Sequence, residues 1–204
     1  MPEPPPSRTG EHSSQERLLA AAKRLFSSRG YENTSTAMIA REALTSESQL
    51  VKHFGGKEGL LEAVFDDGWY RLAAQFPALD AIPNNRQKLT SMLDLFLRTF
   101  EADPLLKELM LFESRRMRKS GSDVMLTRGY QSFLARIDSI LQDMAKRGEL
   151  KPGLSPVAVR AALVGMMEGM LREQLLYQRH QSAEALDSEI IRKVFRQVFQ
   201  AFLT

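Results

Sequence analysis

The stretch IAREALTSESQLVKHFGGKEGL, residues 39–60, contains two short apolar patterns on either side of a break. Ile39 belongs to the first pattern, and Leu50 and Phe54 belong to the second. Only residues 44–46 separate the two patterns, which is too short an interval for a comfortable linker. The spacing therefore predicts two short helices that cross at a tight turn.

Helix-capping residues occur within this stretch and before it. A serine followed three residues later by Glu or Gln predicts a helix start, and a glycine after an apolar pattern predicts a helix end. The predicted starts and ends are Ser13 with Glu16, Gly30, Thr34 or Ser35, Ser46 with Gln49, and Gly55-Gly56. These residues define three helices, and a longer fourth helix begins near Lys57.

The remainder of the chain also has helical periodicity, without convincing strand alternation. Further helices are predicted at about 86–101, 104–118, 123–147 and 183–202, with one of roughly 25 residues that begins at Pro156. The stretch PALDAIPNN is predicted to be a loop. We expect an all-α protein with a disordered tail over 1–12, a three-helix helix-turn-helix head over 13–58 and a larger helical body over 59–204.

The composition excludes several classes of protein. The 204 residues include no cysteine, which excludes disulfides, thiolate metal sites and thiol redox sensing. No apolar run approaches the roughly 20 residues that cross a membrane, and the start, MPEPPPSRTGEHSS, lacks the apolar core of a secretory signal. We expect a cytoplasmic protein without a membrane partner, cofactor or metal. The net charge of +3 is mild, so any nucleic-acid binding depends on a local arrangement.

Two short helices joined by a tight turn and braced by a preceding helix form a helix-turn-helix unit. The second short helix of such a unit enters the major groove of DNA, where side chains contact base edges and phosphates. The predicted DNA contacts are Thr34, Ser35, Thr36, Ser46, Glu47, Ser48, Gln49, Lys52, His53 and Lys57. A simpler alternative stays open for several of them, because serines cap helices and polar surface residues are often only solvated.

The residues of this unit resemble the TetR (tetracycline-repressor) family of bacterial regulators. The matching residues are Arg17-Leu18-Leu19, Ala22, Phe26, Gly30-Tyr31, Thr34-Ser35, Ile39-Ala40, Ala43, Ser46, Leu50, His53-Phe54, Lys57-Glu58 and Leu60. Their spacing needs no gap. The resemblance implies a homodimeric repressor that a small apolar or amphipathic effector releases from a palindromic operator in double-stranded DNA.

Leu44, Thr45 and Val51 depart from the pattern of that family, which usually has a small apolar residue where Thr45 stands. Leu44 stands where the family usually has the glycine that permits the turn, and a leucine with positive φ either strains or shifts the turn. Val51 stands where the family usually has a tyrosine, and it cannot donate a hydrogen bond to a phosphate. Glu47 repels phosphates unless it accepts a hydrogen bond from a cytosine amino group.

Methionine and aromatic side chains are concentrated in the middle of the body. Eight of the ten methionines lie between Met92 and Met170, and such interiors adapt readily to apolar ligands. The resembled family encloses an effector cavity in this region. The predicted pocket residues are Phe96, Phe100, Met110, Phe112, Glu113, Arg116, Tyr130, Phe133, Met166 and Met170. Filling an ordinary core is the alternative role for each apolar residue among them.

The last two predicted helices each carry a stripe of large apolar residues. Two helices from each of two subunits would bury these stripes in a four-helix bundle, and the resulting twofold symmetry suits two DNA half-sites. The predicted interface residues are Leu163, Met167, Ile191, Val194, Phe195, Val198 and Phe202. The alternative is that part of each stripe faces its own domain.

Two functions therefore remain open from the sequence. The first is a homodimeric, ligand-responsive transcriptional repressor. The second is a helical small-molecule or lipid-binding protein with weakened or lost DNA binding, which Leu44 and Val51 favour. An enzyme has little support, because the sequence has three histidines and neither a Gly-rich phosphate loop nor metal-ligand spacing.

Overall fold

The computed structural model describes residues 13–113, 127–180 and 186–204. Within these ranges the chain forms ten α-helices and no extended strand, which confirms the predicted all-α fold. The helices are α1 (Ser14–Arg29), α2 (Thr36–Glu42), α3 (Glu47–Phe54), α4 (Lys57–Ala73), α5 (Phe76–Asp80), α6 (Asn85–Ala102), α7 (Pro104–Glu113), α8 (Arg128–Lys146), α9 (Pro156–His180) and α10 (Ser188–Ala201). The predicted tail over 1–12 lies outside the described residues.

Two compact units divide the chain within α4, between Val64 and Phe65. The first unit, called the head below, contains α1, α2, α3 and the beginning of α4. The second unit, the body, contains the rest of α4 and the helices α5 to α10. The sequence prediction places the division between residues 58 and 59, closer to the start of α4.

Local capping explains where the helices of the head begin. The Ser13 hydroxyl accepts a hydrogen bond from the Glu16 backbone N–H at 3.2 Å, and the Glu16 carboxylate accepts one from the Ser13 N–H at 2.8 Å. This reciprocal pair is the predicted capping box. Of the two predicted caps of α2, Thr34 and Ser35, the N-cap is Ser35. Its hydroxyl accepts a hydrogen bond from the Met38 N–H at 3.2 Å.

The core of the head forms where the apolar faces of its four helices meet. Leu18 and Phe26 of α1 pack in this core with Ile39 of α2, Leu50 of α3 and Leu60 of α4, and all five are buried. Burying one such side chain contributes about 1.5–3 kcal/mol relative to leaving it exposed. Because α3 spans only Glu47–Phe54, Leu50 is the main anchor that holds this helix in place.

The helices of the body follow the sequence prediction with one addition. The stretch predicted as a loop contains the short helix α5, in which Pro77 occupies a first-turn position that tolerates proline. The helix α9 has the predicted start and length. The predicted helices over 104–118, 123–147 and 183–202 extend partly outside the described residues, and α7, α8 and α10 are their described parts.

Ion pairs between helices hold the body together beside its apolar core. Arg160 of α9 pairs with Asp138 of α8 at 2.7 Å, and Arg192 of α10 pairs with Asp94 of α6 at 3.0 Å. All four side chains are largely covered, so solvent screens these pairs less than pairs on an open surface. Each pair joins two helices that also pack through apolar residues.

In the described ranges, no helix combines the length and the apolar character that crossing a membrane requires.

Candidate nucleic-acid interface and effector cavity

The turn between α2 and α3 adopts a left-handed backbone at Leu44. Leu44 has a φ of 51°, and its N–H donates to the Arg41 carbonyl at 3.2 Å, while the Thr45 N–H donates to the Ala40 carbonyl at 2.9 Å. This pair of hydrogen bonds is a Schellman motif, in which the left-handed position is usually glycine. The leucine side chain is 83% exposed. The turn is therefore strained rather than shifted, at a cost of roughly 1–2 kcal/mol.

Two side chains of α1 brace this turn. The Arg17 guanidinium donates through Nε to the Ala43 carbonyl at 3.0 Å, at the end of α2. Arg24 forms an ion pair with Glu42 at 3.1 Å. Arg17 satisfies a carbonyl that the helix leaves without an internal partner, so it links the position of α1 to the end of α2.

The beginning of α3 presents a hydrogen-bonded group of polar side chains. The Thr36 hydroxyl donates to the Glu47 carboxylate at 2.6 Å, which joins the first turns of α2 and α3. Ser46 caps α3 by accepting from the Gln49 N–H at 3.3 Å, and its hydroxyl lies 2.8 Å from the Ser48 hydroxyl. These contacts restrict where the Glu47 carboxylate and the Ser48 hydroxyl lie before any DNA is bound.

Two cationic or ionisable side chains lie near the end of α3 and the start of α4. The His53 ring lies 3.1 Å from the Ser14 hydroxyl, measured from Nε2. The Lys57 ammonium lies 4.1 Å from the centroid of the Tyr31 ring, which is a cation–π contact that orients it. Of the predicted DNA contacts, Ser35, Ser46, Glu47, Ser48, Lys52 and His53 are exposed, and Thr36, Gln49 and Lys57 are half-buried.

The prediction for Thr34 is wrong. Its side chain is only 1% exposed, and its hydroxyl donates to the Gly30 carbonyl at 2.8 Å and lies 3.2 Å from the Leu25 carbonyl. The hydroxyl closes the end of α1 instead of facing a phosphate. Its place just before an N-cap serine makes it look equivalent to Ser35, but the backbone turns it inward.

Gly59 is a residue of the head that sequence reasoning missed. A Cβ atom at this position would lie 2.0 Å from the Phe54 carbonyl oxygen, which is a backbone atom that cannot rotate away. Glycine therefore permits the first turn of α4 to approach the end of α3. A glycine inside a predicted helix is the available signal, because it weakens the helix unless close packing requires it.

Small cavities of about 30 Å³ and 20 Å³ lie within the described part of the body. The first is lined by Leu89, Met92, Leu93, Phe96, Phe133, Ile137, Leu163, Val164, Met167 and Phe195. The second is lined by Trp69, Phe96, Phe100, Met110, Leu111, Tyr130, Phe133, Met167, Glu168 and Leu171. Each holds only one or two water molecules in this conformation. The predicted residues Phe96, Phe100, Met110, Tyr130 and Phe133 all line one or both.

Trp69 brings together the aromatic side chains of the second cavity. Its ring centroid lies 5.1 Å from that of Phe133, 5.3 Å from Tyr130 and 5.8 Å from Phe96. A Cβ atom at Gly129 would lie 2.3 Å from the Trp69 Cβ, so glycine allows α8 to approach Trp69 closely. Sequence reasoning missed Trp69, although it is the single tryptophan of the chain.

One carboxylate, that of Glu168, lies among these aromatic side chains. The Tyr130 hydroxyl donates to Glu168 Oε1 at 3.0 Å. The sequence places Glu168 among apolar residues and leaves open a pocket, a partner subunit or water as its surroundings; in the structure it lines the second cavity. Its hydrogen bond to a cavity tyrosine provides the polar feature that a largely apolar binding site uses to orient a ligand.

On α9 and α10, several residues predicted for the dimer interface line the cavities, and two residues predicted for the pocket do not. Leu163, Met167 and Phe195 were assigned to a dimer interface, but they are buried in their own body and line the cavities. Ile191 is also fully buried. The half-buried Met166 and Met170 line neither cavity. The half-buried interface residues that remain are Val194, Val198 and Phe202. The side chains of Phe112 and Glu113, and the whole of Arg116, lie outside the described residues.

The outward faces of α9 and α10 carry small and apolar residues. Val157 and Ile190 are 52% and 45% exposed. The intervening surface of α9 includes Ala158, Ala161 and Gly165, all of which are exposed. A Cβ atom added at Gly165 would meet no atom within 4 Å. This face has no covering element within the described part of the chain.

In the described parts of the chain, no three His, Cys, Asp or Glu side chains are grouped to hold a metal ion.

Comparisons with known proteins agree with this architecture. Residues 18–64 match the family model described as bacterial regulatory proteins of the tetR family. The HTH-type transcriptional regulator UidR of Escherichia coli K12 is 24% identical over 167 residues, which are 81% of this chain and 84% of that protein. The nucleoid occlusion factor SlmA of Photobacterium profundum is 30% identical over 170 residues, covering 77% of this chain and 81% of that protein.

A solved structure has the same fold at lower sequence identity. The transcriptional regulator FadR from Bacillus subtilis, in complex with stearoyl-CoA, superposes with a TM-score of 0.77 at 16% identity, and covers 90% of this chain and 96% of that chain. The family model and UidR are described as regulatory proteins, so the prediction that the chain is not an enzyme is confirmed. The chain belongs to the TetR family of bacterial transcriptional regulators.

Proposed function

We propose that the protein is a homodimeric repressor that binds a palindromic operator and leaves it when a small apolar or amphipathic effector occupies the body. The observation that carries this proposal is the braced turn before α3, which holds Glu47 and Ser48 at the exposed start of that helix. In a helix-turn-helix protein, the N-terminal residues of the second helix contact base edges.

The exposed side chains of α3 offer three kinds of contact to DNA. The Glu47 carboxylate, held by Thr36, accepts a hydrogen bond from a cytosine amino group. Val51 is 54% exposed and offers methyl groups to a thymine methyl group instead of a hydrogen bond to a phosphate. Lys52 and His53, in the last turn, neutralise phosphates.

The outward face of α9 and α10 supports a homodimer. The surface around Ala161 and Gly165 lets a second helix approach closely, while Val157 and Ile190 bury apolar area at its edges. Two heads related by a twofold axis then bind half-sites about one turn of DNA apart. The interface therefore uses the exposed small residues of α9 rather than Leu163 and Met167.

Effector binding in either of these cavities requires the body to expand, because each has room for only one or two water molecules. The FadR structure with stearoyl-CoA supports an amphipathic effector with an apolar chain in this family of folds. A ligand that fits only the expanded body stabilises that conformation. Moving the equilibrium from 1:99 to 99:1 requires roughly 5.5 kcal/mol of preference for one conformation.

Selection of bound duplexes from a random DNA library tests the proposal. We expect an enriched palindrome that binds two chains. The variant Gln49→Ala should bind it more weakly, whereas Gln142→Ala, which removes an exposed amide of α8, should bind as the wild type does. If a folded dimer enriches no duplex at low salt, the operator function is wrong. The alternative, a ligand-binding protein with a head that no longer reads DNA, would then stand.

A further inference from the structure

Among the described residues, the ammonium of one buried lysine of the body has neutral hydrogen-bond acceptors. Lys107 of α7 is 5% exposed, and its ammonium donates to Gln174 Oε1 at 3.0 Å and lies 3.4 Å from Gln178 Oε1. Both acceptors are neutral amides. Glu101 influences the ammonium only through its charge, and it forms its ion pair with Arg192 at 3.6 Å. Burial lowers the pKa of Lys107, and the charge of Glu101 partly opposes that change.

The orientation of the main acceptor is set by a third contact. Gln174 donates through Nε2 to the Leu186 carbonyl at 2.8 Å, so its oxygen faces Lys107. A lysine ammonium has three donors, and the two glutamine oxygens take two of them. The arrangement thus holds the amine in one place and leaves it a further donor.

This group lies one helical turn from the wall of the second cavity on two helices. Met110 and Leu111 line that cavity, and they follow Lys107 by three and four residues on α7. Leu171 also lines it, and it precedes Gln174 by three residues on α9. Residues at these separations are neighbours on a helix surface. Lys107 and Gln174 therefore lie one helical turn beyond the wall of the cavity, whose lining is aromatic and aliphatic apart from Glu168.

A purely structural role explains this lysine poorly. A buried ammonium whose described hydrogen-bond acceptors are neutral is unfavourable, and an apolar side chain of similar length fills the same space without losing hydration. Amide oxygens satisfy the donors but do not neutralise the charge. A buried positive charge near a largely apolar cavity matches a ligand that joins an apolar chain to one anionic group.

We propose that Lys107 binds the carboxylate of an amphipathic monoacid whose apolar chain occupies the cavity lined by Trp69, Phe96 and Phe133. The inference rests on the proposed function only in naming the class of effector that the body binds. The carboxylate accepts a hydrogen bond from the remaining donor of the ammonium, and the two glutamine oxygens keep theirs. The resulting charge-assisted hydrogen bond is about twice as strong as one between neutral groups.

Binding of decanoic acid and 1-decanol to the full chain tests this assignment. The two probes share an apolar chain, but only the acid is charged at neutral pH. Trp69 is the single tryptophan and lines the cavity, so its fluorescence reports binding directly. We expect the wild type to bind the acid at least tenfold more tightly than the alcohol, the ratio expected for a hydrogen bond to a charged group. Lys107→Met should reduce acid binding to the level of the alcohol. Lys146→Met, at an exposed position of α8, should change neither.

Equal binding of acid and alcohol by the wild type would overturn the inference without any variant, so the test does not depend on the folding of Lys107→Met. Retention of the acid preference in a folded Lys107→Met protein would also overturn it, as would no fluorescence response to either probe. Operator binding of the same wild-type sample is measured in parallel. Loss of acid preference with intact operator binding rejects only this inference, whereas acid binding without operator binding rejects only the repressor function.

Discussion

The head and the body hold their polar groups in different ways. In the head, Thr36 and Glu47 bind each other at the surface, and His53 contacts Ser14 where both are accessible to water. In the body, Lys107 is buried against two glutamines, and Glu168 lines a largely apolar cavity. Surface pairs contribute little to stability and are easily exchanged for a polyanion, whereas interior polar groups are expensive and select one ligand. The comparison therefore supports the proposal that the head binds a large polyanion and the body binds a small ligand.

The largest effect on stability is expected inside the body. Phe133→Ala should reduce the free energy of unfolding by about 3–5 kcal/mol, because Phe133 lines both cavities and contacts Trp69 and Phe96. Val51→Ala in the head should change it by less than about 0.5 kcal/mol, since Val51 is exposed. Urea unfolding of both variants measures the contrast. Similar losses from the two substitutions would contradict it.

A smaller effect with the opposite sign is expected at the strained turn. Leu44→Gly should stabilise the head by roughly 1 kcal/mol, because glycine adopts a φ of 51° without steric penalty and the exposed leucine loses no packing. Leu44→Ala is the control, since alanine keeps the Cβ atom that causes the strain. Thermal unfolding distinguishes the two variants. If Leu44→Ala stabilised the head as much as Leu44→Gly does, the left-handed backbone would not be the source of the strain.

The pH dependence of Lys107 gives a further test of the interior. The pKa is lowered from its ordinary value of 10.5, so the folded chain releases the proton at a lower pH than the unfolded chain does. Between the two pKa values the unfolded state binds more protons, and stability therefore rises with pH in that window. Lys107→Met should lack this rise, which urea unfolding from pH 7 to pH 10 measures. Parallel curves for wild type and variant would contradict it.

The smallest effect is expected at the surface of the head. Thr36→Ala removes the hydroxyl that holds Glu47, and an exposed hydrogen bond of this kind contributes about 0.5 kcal/mol or less to folding. The variant should unfold almost as the wild type does but discriminate less against operators in which the contacted cytosine is replaced. Competition binding with single-base variants of the selected duplex measures this. Unchanged discrimination would show that Thr36 does not position Glu47.

Local rules predict the head well because its helices are bounded by short-range hydrogen bonds. Ser13, Ser35 and Ser46 cap helices through residues three positions away, and such spacings are visible in the sequence. Thr34 fails the same reasoning because its hydroxyl contacts the carbonyls of Gly30 and Leu25, four and nine residues earlier, and is buried there. Leu44 shows that a turn can form at the predicted position although its left-handed residue is leucine instead of the usual glycine.

The body is less predictable because both sides of its helices carry apolar residues. On α9, Met166 and Met167 are adjacent in sequence, yet only Met167 is buried, and the periodicity does not distinguish them. Lys107 is missed for a related reason, since a lysine in a helical pattern predicts the solvent side. The glutamines that accept hydrogen bonds from its ammonium lie on another helix, about 70 residues later in the chain.

The salt dependence of operator binding tests the central claim most directly, because only phosphate contacts produce a steep dependence. For the wild type on the selected palindrome, we predict that the logarithm of the affinity falls linearly with the logarithm of the salt concentration. Lys52→Ala should reduce the slope by about 1.8, since a dimer loses two phosphate contacts of roughly 0.9 each. Lys146→Ala, an exposed lysine of the body, should leave the slope unchanged. An affinity that does not vary with salt, or a slope that Lys52→Ala leaves intact, would contradict the account.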